Sequence, residues 1–138
     1  MWTCPAGAVA PEAIAAVGLL AEHRRDVGVL AVTSADRLFA GWRAAETARM
    51  AKGTPPPSRV KRLLRALPRE CCPVTVADAH PTRLGWIGSV EGRRVKALVV
   101  DRFGQCGTIQ EVYGAYGLDS AAILRAAQAV FPGAPLPV

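Results

Sequence analysis

The sequence lacks the marks of several large function classes. No apolar run approaches the about 20 residues that a membrane-spanning helix requires. The opening stretch Met1–Gly7 has neither the charged start nor the long apolar middle of a secretory signal. The expectation is a soluble, cytoplasmic protein with no membrane partner. There is no C-x-x-C pair: Cys4 and Cys106 stand alone, and Cys71 and Cys72 are adjacent. That excludes a zinc ribbon and a thioredoxin-type motif. The two histidines, His23 and His80, form no zinc-spaced pair with them, so no metal is expected, and the thiols read as reduced and mostly buried. Neither G-x-x-x-x-G-K-[ST] nor G-x-G-x-x-G occurs, which removes two common phosphate-cradling signatures.

What is present suits one globular domain. The 138 residues are 51% hydrophobic, enough to bury a sizeable core. Lysines and arginines number 17 against 11 acidic residues, a formal charge of +6. Basic balance favours acidic partners. Here the charge is dispersed at helical spacing with no nucleic-acid module beside it, so it reads as a solvated face and no nucleic-acid partner is expected.

Hydrophobic patterning alternates strand and helix. Pro11 and Glu12 open a first helix to about His23, with Ile14, Val17, Leu20 and Ala21 as its inner stripe. Asp26 and Gly28 frame its end, and His23 there suits the helix dipole. The apolar run Val27–Val32 predicts a strand buried on both faces. Thr33–Asp36 predicts the cap of a second helix to about Met50, with Leu38, Phe39, Trp42, Ala45 and Met50 on its apolar side. Residues 52–57, ending in three prolines, predict a surface loop inside one domain spanning 1–138. Ser58 caps a third helix whose Val60, Leu63, Leu64 and Leu67 face inward while Arg62, Arg65 and Arg69 face water. Strands follow over 73–77 and 95–100, with a short helix or turn over 82–89 between them. Thr108 and Asp119 then cap two last helices, and Pro132 stops the second. This order predicts a three-layer α/β domain, a mostly parallel central sheet with helices on both faces. Asp36, Asp78 and Asp101 all follow strands, so their loops gather at one sheet edge, where such folds place their sites.

Two places invite chemistry. The loop after the last strand, Asp101-Arg102-Phe103-Gly104-Gln105-Cys106-Gly107-Thr108, precedes a helix whose free N–H groups suit an anion. Asp101, Phe103, Gly104, Gly107 and Thr108 are its candidate anion-site or interface residues, the glycines reading first as a turn. The second place is Ala77-Asp78-Ala79-His80, where a carboxylate stands two residues before an imidazole that it would orient for base work. No nucleophile accompanies that pair, so no catalytic residue is expected and His80 reads first as a strand end.

The order of motifs resembles the C-terminal domain of the transketolase superfamily, most closely that of the homodimeric-type pyruvate dehydrogenase first component, over nearly the whole chain. Gly7-Ala8-Val9-x-Pro11-Glu12-Ala13 is similar to that family's first strand–helix junction. Val32-Thr33-Ser34, Leu38, Gly41 and Ala44-Ala45-Glu46 resemble its second, with the glycine one place early. Asp101-Arg102-Phe103-Gly104 resembles the D-x-F-G after its last strand, and Thr108, Leu118-Asp119 and the final Ala-rich helix follow in order. The family's Ser-Asp after that motif is Cys106-Gly107 here, and the triproline is an insertion. The resemblance implies a transketolase C-terminal-like fold and a structural, dimer-supporting domain beside thiamine-binding domains or a thiamine-binding subunit. In that parent enzyme thiamine diphosphate and magnesium serve oxidative decarboxylation of a 2-oxo acid. This chain carries no G-D-G…Asn-type diphosphate–magnesium run, so no cofactor and no catalysis are expected of it alone. The alternative is a free-standing anion- or nucleotide-binding module that uses the Asp101–Thr108 loop.

Overall fold

The structure, a computed structural model, describes residues 2–22, 27–51, 53–102, 104 and 106–130. Among the described residues four strands form one sheet in the order β2-β1-β3-β4, every pair parallel. They are β1 (Trp2–Ala6), β2 (Gly28–Val29), β3 (Val74–Ala77) and β4 (Lys96–Val99). Helices α2 (Ala35–Met50), α3 (Arg59–Arg65) and α4 (Thr82–Gly85), with a 3-10 turn over Trp86–Ser89, pack on one face. Helices α1 (Ala10–Ala21), α5 (Ile109–Tyr116) and α6 (Ser120–Val130) pack on the other. The three-layer α/β expectation holds, with a sheet that is entirely parallel.

Alternation along the central strands feeds both cores. Cys4 and Ala6 of β1 and Ala77 of β3 point to the α2/α3/α4 layer, where Val60, Leu64, Leu84 and Ile87 are almost fully buried. Val74 and Val76 point to the α1/α6 layer, against Val9, Ala13, Leu118 and Ile123.

The sequence pattern hides β1. The stretch Trp-Thr-Cys-Pro-Ala has no apolar run, and a proline argues against a central strand. Pro5 nevertheless sits in the strand that β2 and β3 flank, opposite Val76. In a parallel ladder one residue turns both its N–H and its C=O to the same neighbour. Pro5 turns toward β2: its carbonyl accepts from Val32 N–H at 2.9 Å, as Thr3 accepts from Leu30 at 2.8 Å. The N–H that would complete the ladder does not exist. This corrects the reading of residues 27–32 as a strand buried on both faces: regular pairing covers Gly28–Val29 alone, at the sheet margin, and Val27 to Leu30 are half-buried.

Helix stripes need smaller corrections. In α1 the buried positions are Ala13, Ala16 and Leu20, whereas Ile14 is 61% exposed. Small residues let α1 approach α6, whose Ala126 and Ala127 share that core. In α2, Met50 is exposed and Phe39 stands partly open. In α3 Val60 and Leu64 lie inside and Arg62 and Arg65 outside, as expected, and beyond its end Leu67 is inside and Arg69 outside, but Leu63, expected inside, is only half-buried. Ser58 caps α3 through Lys61 N–H at 3.4 Å, and Asp119 caps α6 through Ala122 N–H at 2.7 Å. Residues 53–58 are irregular, as their prolines require. His23 and Asp26, read as the end of the first helix, and Pro132, read as the end of the last, lie outside the described residues.

One contact set was not legible at all. The Arg93 guanidinium donates to four carbonyls at the end of α3 and just beyond it: Leu64 and Leu67 at 2.9 Å each, Cys71 at 3.3 Å, and Pro68. A helix end leaves its last carbonyls without intrahelical donors. A cation placed there also meets the negative pole of the helix.

Candidate functional site

A parallel sheet brings all strand C-termini to one edge. From β1 the chain moves outward to β2, then crosses back to β3 on the other side, so the topological switch lies between β1 and β3. Gly7 ends β1 there with φ +84°, and Asp78 follows β3 beside it. A Cβ at Gly7 would stand 2.6 Å from Asp78 Oδ1, so a glycine admits the carboxylate to the crevice. The Gly7 carbonyl accepts from Ala10 N–H and starts α1. Glu12, one turn into α1, accepts the Ser120 N–H at 2.9 Å and so ties α1 to the start of α6. Tyr113 of α5 completes the crevice. Burial first, then the negative charges of Asp78 and Glu12, hold its phenol above the usual tyrosine range. At neutral pH it is therefore a hydrogen-bond donor and not a base.

Asp78 and His80 do not work as one unit. Asp78 continues the parity of Val74 and Val76 and faces the Glu12–Tyr113 side. The His80 ring Nδ1 lies 3.1 Å from Thr82 Oγ1 and accepts from Thr82 N–H, at the start of α4 in the opposite layer. The three strand-end aspartates do not converge either. Asp36 follows β2 and Asp101 follows β4, the two margins of the sheet, separated by three strand spacings or roughly 14 Å.

The loop after β4 is built around its own cap. Thr108 Oγ accepts from Glu111 N–H at 3.4 Å, while the Glu111 carboxylate receives the Thr108 N–H at 2.8 Å and its hydroxyl at 3.0 Å. This reciprocal capping box satisfies two donors at the α5 start internally. These bonds hold the Glu111 carboxyl below its ordinary range. Gly107 has a steric reason: a Cβ there would stand 2.9 Å from the same carboxylate. Arg102 pins the loop to α5, donating to Ala115 O at 3.0 Å and lying over the Tyr116 ring. Asp101 is exposed and Gly104 has φ +110°, while Phe103 lies outside the described residues.

Two features escaped the sequence reading because they join distant segments. Phe39 meets Trp86 edge-on at 5.1 Å, and Trp42 stacks on Trp86 at 5.2 Å. Phe39 and Trp86, with Asp36, Thr82 and Arg83, border an open aromatic cleft between α2 and α4. The second is a groove along the outer margin of β2, lined by α2 and α3.

The thiols divide as their surroundings dictate. Cys4 is pushed up to about 12 by burial first and then by Cys71. Cys72 Sγ donates to Arg94 O at 2.8 Å, and Cys106 alone is exposed. Among the described residues no group of three or more His, Cys, Asp or Glu could hold a metal ion, and no helix is long and apolar enough to cross a membrane. No family model matches the chain, and no curated protein is detectably similar to it in sequence.

Proposed function

We propose that the chain is a C-terminal domain or subunit of a thiamine-diphosphate-dependent enzyme of the pyruvate dehydrogenase and transketolase type, non-catalytic by itself and supporting assembly of the parent. The observation that carries this reading is where the family-like motifs fall. Gly7-Ala8-Val9 spans the β1–α1 junction, Val32-Thr33-Ser34 leads from β2 to α2, and Asp101-Arg102 follows β4. Each motif thus marks the exit of a parallel strand, in the family's order. Thiamine diphosphate and magnesium would be held by the partner domains, and a homodimer is the expected assembly. Exposed Ile14, Ile109 and Met50 are side chains such a partner would cover.

The crevice supports a role without chemistry. Glu12 is committed to Ser120 and Tyr113 stays protonated, so neither is free to act as a base beside Asp78. The alternative, an anion- or nucleotide-binding module at the Asp101–Thr108 loop, has less in its favour, because Glu111 already occupies donors that such a ligand would need.

The test is the mass of the purified chain by light scattering, alone and mixed with the thiamine-binding polypeptide encoded nearest to it. Co-assembly with the appearance of 2-oxo-acid decarboxylation is the expected result. A chain that stays apart from that polypeptide, or decarboxylates pyruvate unaided, overturns the reading.

A further inference from the structure

We propose that the groove beside β2 is a binding site for a phosphate monoester with a compact apolar body. It encloses about 300 Å³, the lower end of the range for small-molecule clefts. Residues 30–33, the segment that continues from β2 toward α2, form its floor. One wall is a single face of α2: Ser34, Arg37, Leu38 and Gly41, at the i, i+3, i+4, i+7 spacing that aligns side chains on a helix. Arg59 and Leu63 of α3 form the other wall. Leu38 and Leu63 thus add apolar surface to a groove that two arginines also line.

Charge, donors and space point the same way. Arg49 and Arg65 are paired with carboxylates, and Arg93 and Arg102 with carbonyls. Among the described residues neither Arg37 nor Arg59 has such a partner, so two uncommitted arginines border one groove. Forked guanidinium donors match phosphate oxygens. The cap expected within Thr33–Asp36 is not made by Ser34: its side chain accepts no N–H from α2, so its hydroxyl is left to a ligand in the groove it lines. Asp36, the acid of that turn, borders the aromatic cleft instead. Gly41 supplies the room. Glycine in mid-helix is unfavourable relative to alanine, yet a Cβ at Gly41 meets nothing within 4 Å. The space it leaves is the groove.

The site is independent of the thiamine-enzyme reading, and it differs from the Asp101–Thr108 loop, which lies at the opposite margin of the sheet. The test is a titration of the full chain with phenyl phosphate, followed by backbone amide NMR. Saturable shifts are expected at Ser34, Gly41 and Arg59, with inorganic phosphate and phenol each at least about tenfold weaker. Arg37→Gln with Arg59→Gln is expected to weaken phenyl phosphate about tenfold or more. Gly41→Met fills the groove without removing a charge. It is expected to abolish binding while melting no lower than the parent, which separates lost binding from lost folding. Absence of shifts at millimolar phenyl phosphate, equal affinity for inorganic phosphate, or undiminished binding in either variant overturns the proposal.

Discussion

Replacing Arg93 by alanine tests how the α2/α3 layer is fastened to the sheet. The guanidinium holds four carbonyls, but they do not depend on it equally. Leu64 O also accepts from Leu67 N–H and Pro68 O from Cys71 N–H, both at 3.0 Å. Leu67 O has no other donor among the described residues. A hydrogen bond to a charged group contributes about 1.5–3 kcal/mol net, and an abandoned acceptor costs its desolvation. One irreplaceable bond at the low end of that range, about 1.5 kcal/mol since the contacts are only partly buried, and about 0.5 kcal/mol for each of the other three give a loss of about 3 kcal/mol. Urea unfolding followed by tryptophan fluorescence reads this directly. At a slope of about 1.5 kcal/mol/M the midpoint falls by about 2 M with the slope unchanged. Arg93→Lys keeps the charge but loses the planar fork, so it recovers about half of the loss. A midpoint shift in Arg93→Ala below about 0.3 M, or a lysine variant indistinguishable from the parent, refutes the reasoning.

Two further outcomes are expected. Glu111 has a folded-state pKa below its unfolded value, so its contribution is present above the unfolded pKa and is lost as pH falls through the folded one; thermal melts of Glu111→Ala should lie below the parent at neutral pH and converge on it under acid, and a gap that is constant with pH sinks the capping-box account. Of the four cysteines, Cys106 alone should react quickly with a colorimetric disulfide reagent in the native protein, because burial opposes thiolate formation at Cys4 and Cys72; a second fast thiol would contradict the packing of that layer.

The elements that were legible share one property: their signal is local. Continuous apolar runs marked β3 and β4, and Ser58, Thr108 and Asp119 marked helix starts because a cap acts within three residues. The full capping box was also written, in Thr108-Ile109-Gln110-Glu111, though only its threonine was singled out. What failed depends on partners far along the chain. The inner side of α1 moved from Ile14 to Ala13 and Ala16 because α6 approaches closely, a fact about residues 126 and 127. Ser34 stands at a cap position without capping, which composition does not reveal. The crevice of Gly7, Glu12, Asp78 and Tyr113 joins three regions of the chain. Sequence supplied Asp78 but paired it with His80, the nearest imidazole along the chain and not its neighbour in space.

Pro5 has a consequence for the order in which the molecule opens. The β1–β3–β4 registers run over four residue pairs each, whereas β1–β2 is stitched by two and then interrupted by an amide that proline cannot supply. The margin carrying β2 is therefore the least fastened seam of the sheet. Its amides at Leu30 and Val32 should exchange with deuterium through partial opening, long before those of Val74 to Ala77, which wait for the whole chain to unfold. A single ring closure at position 5 thus divides a continuous sheet into a durable three-strand unit and a margin able to breathe, and that margin forms the floor of the groove beside α2.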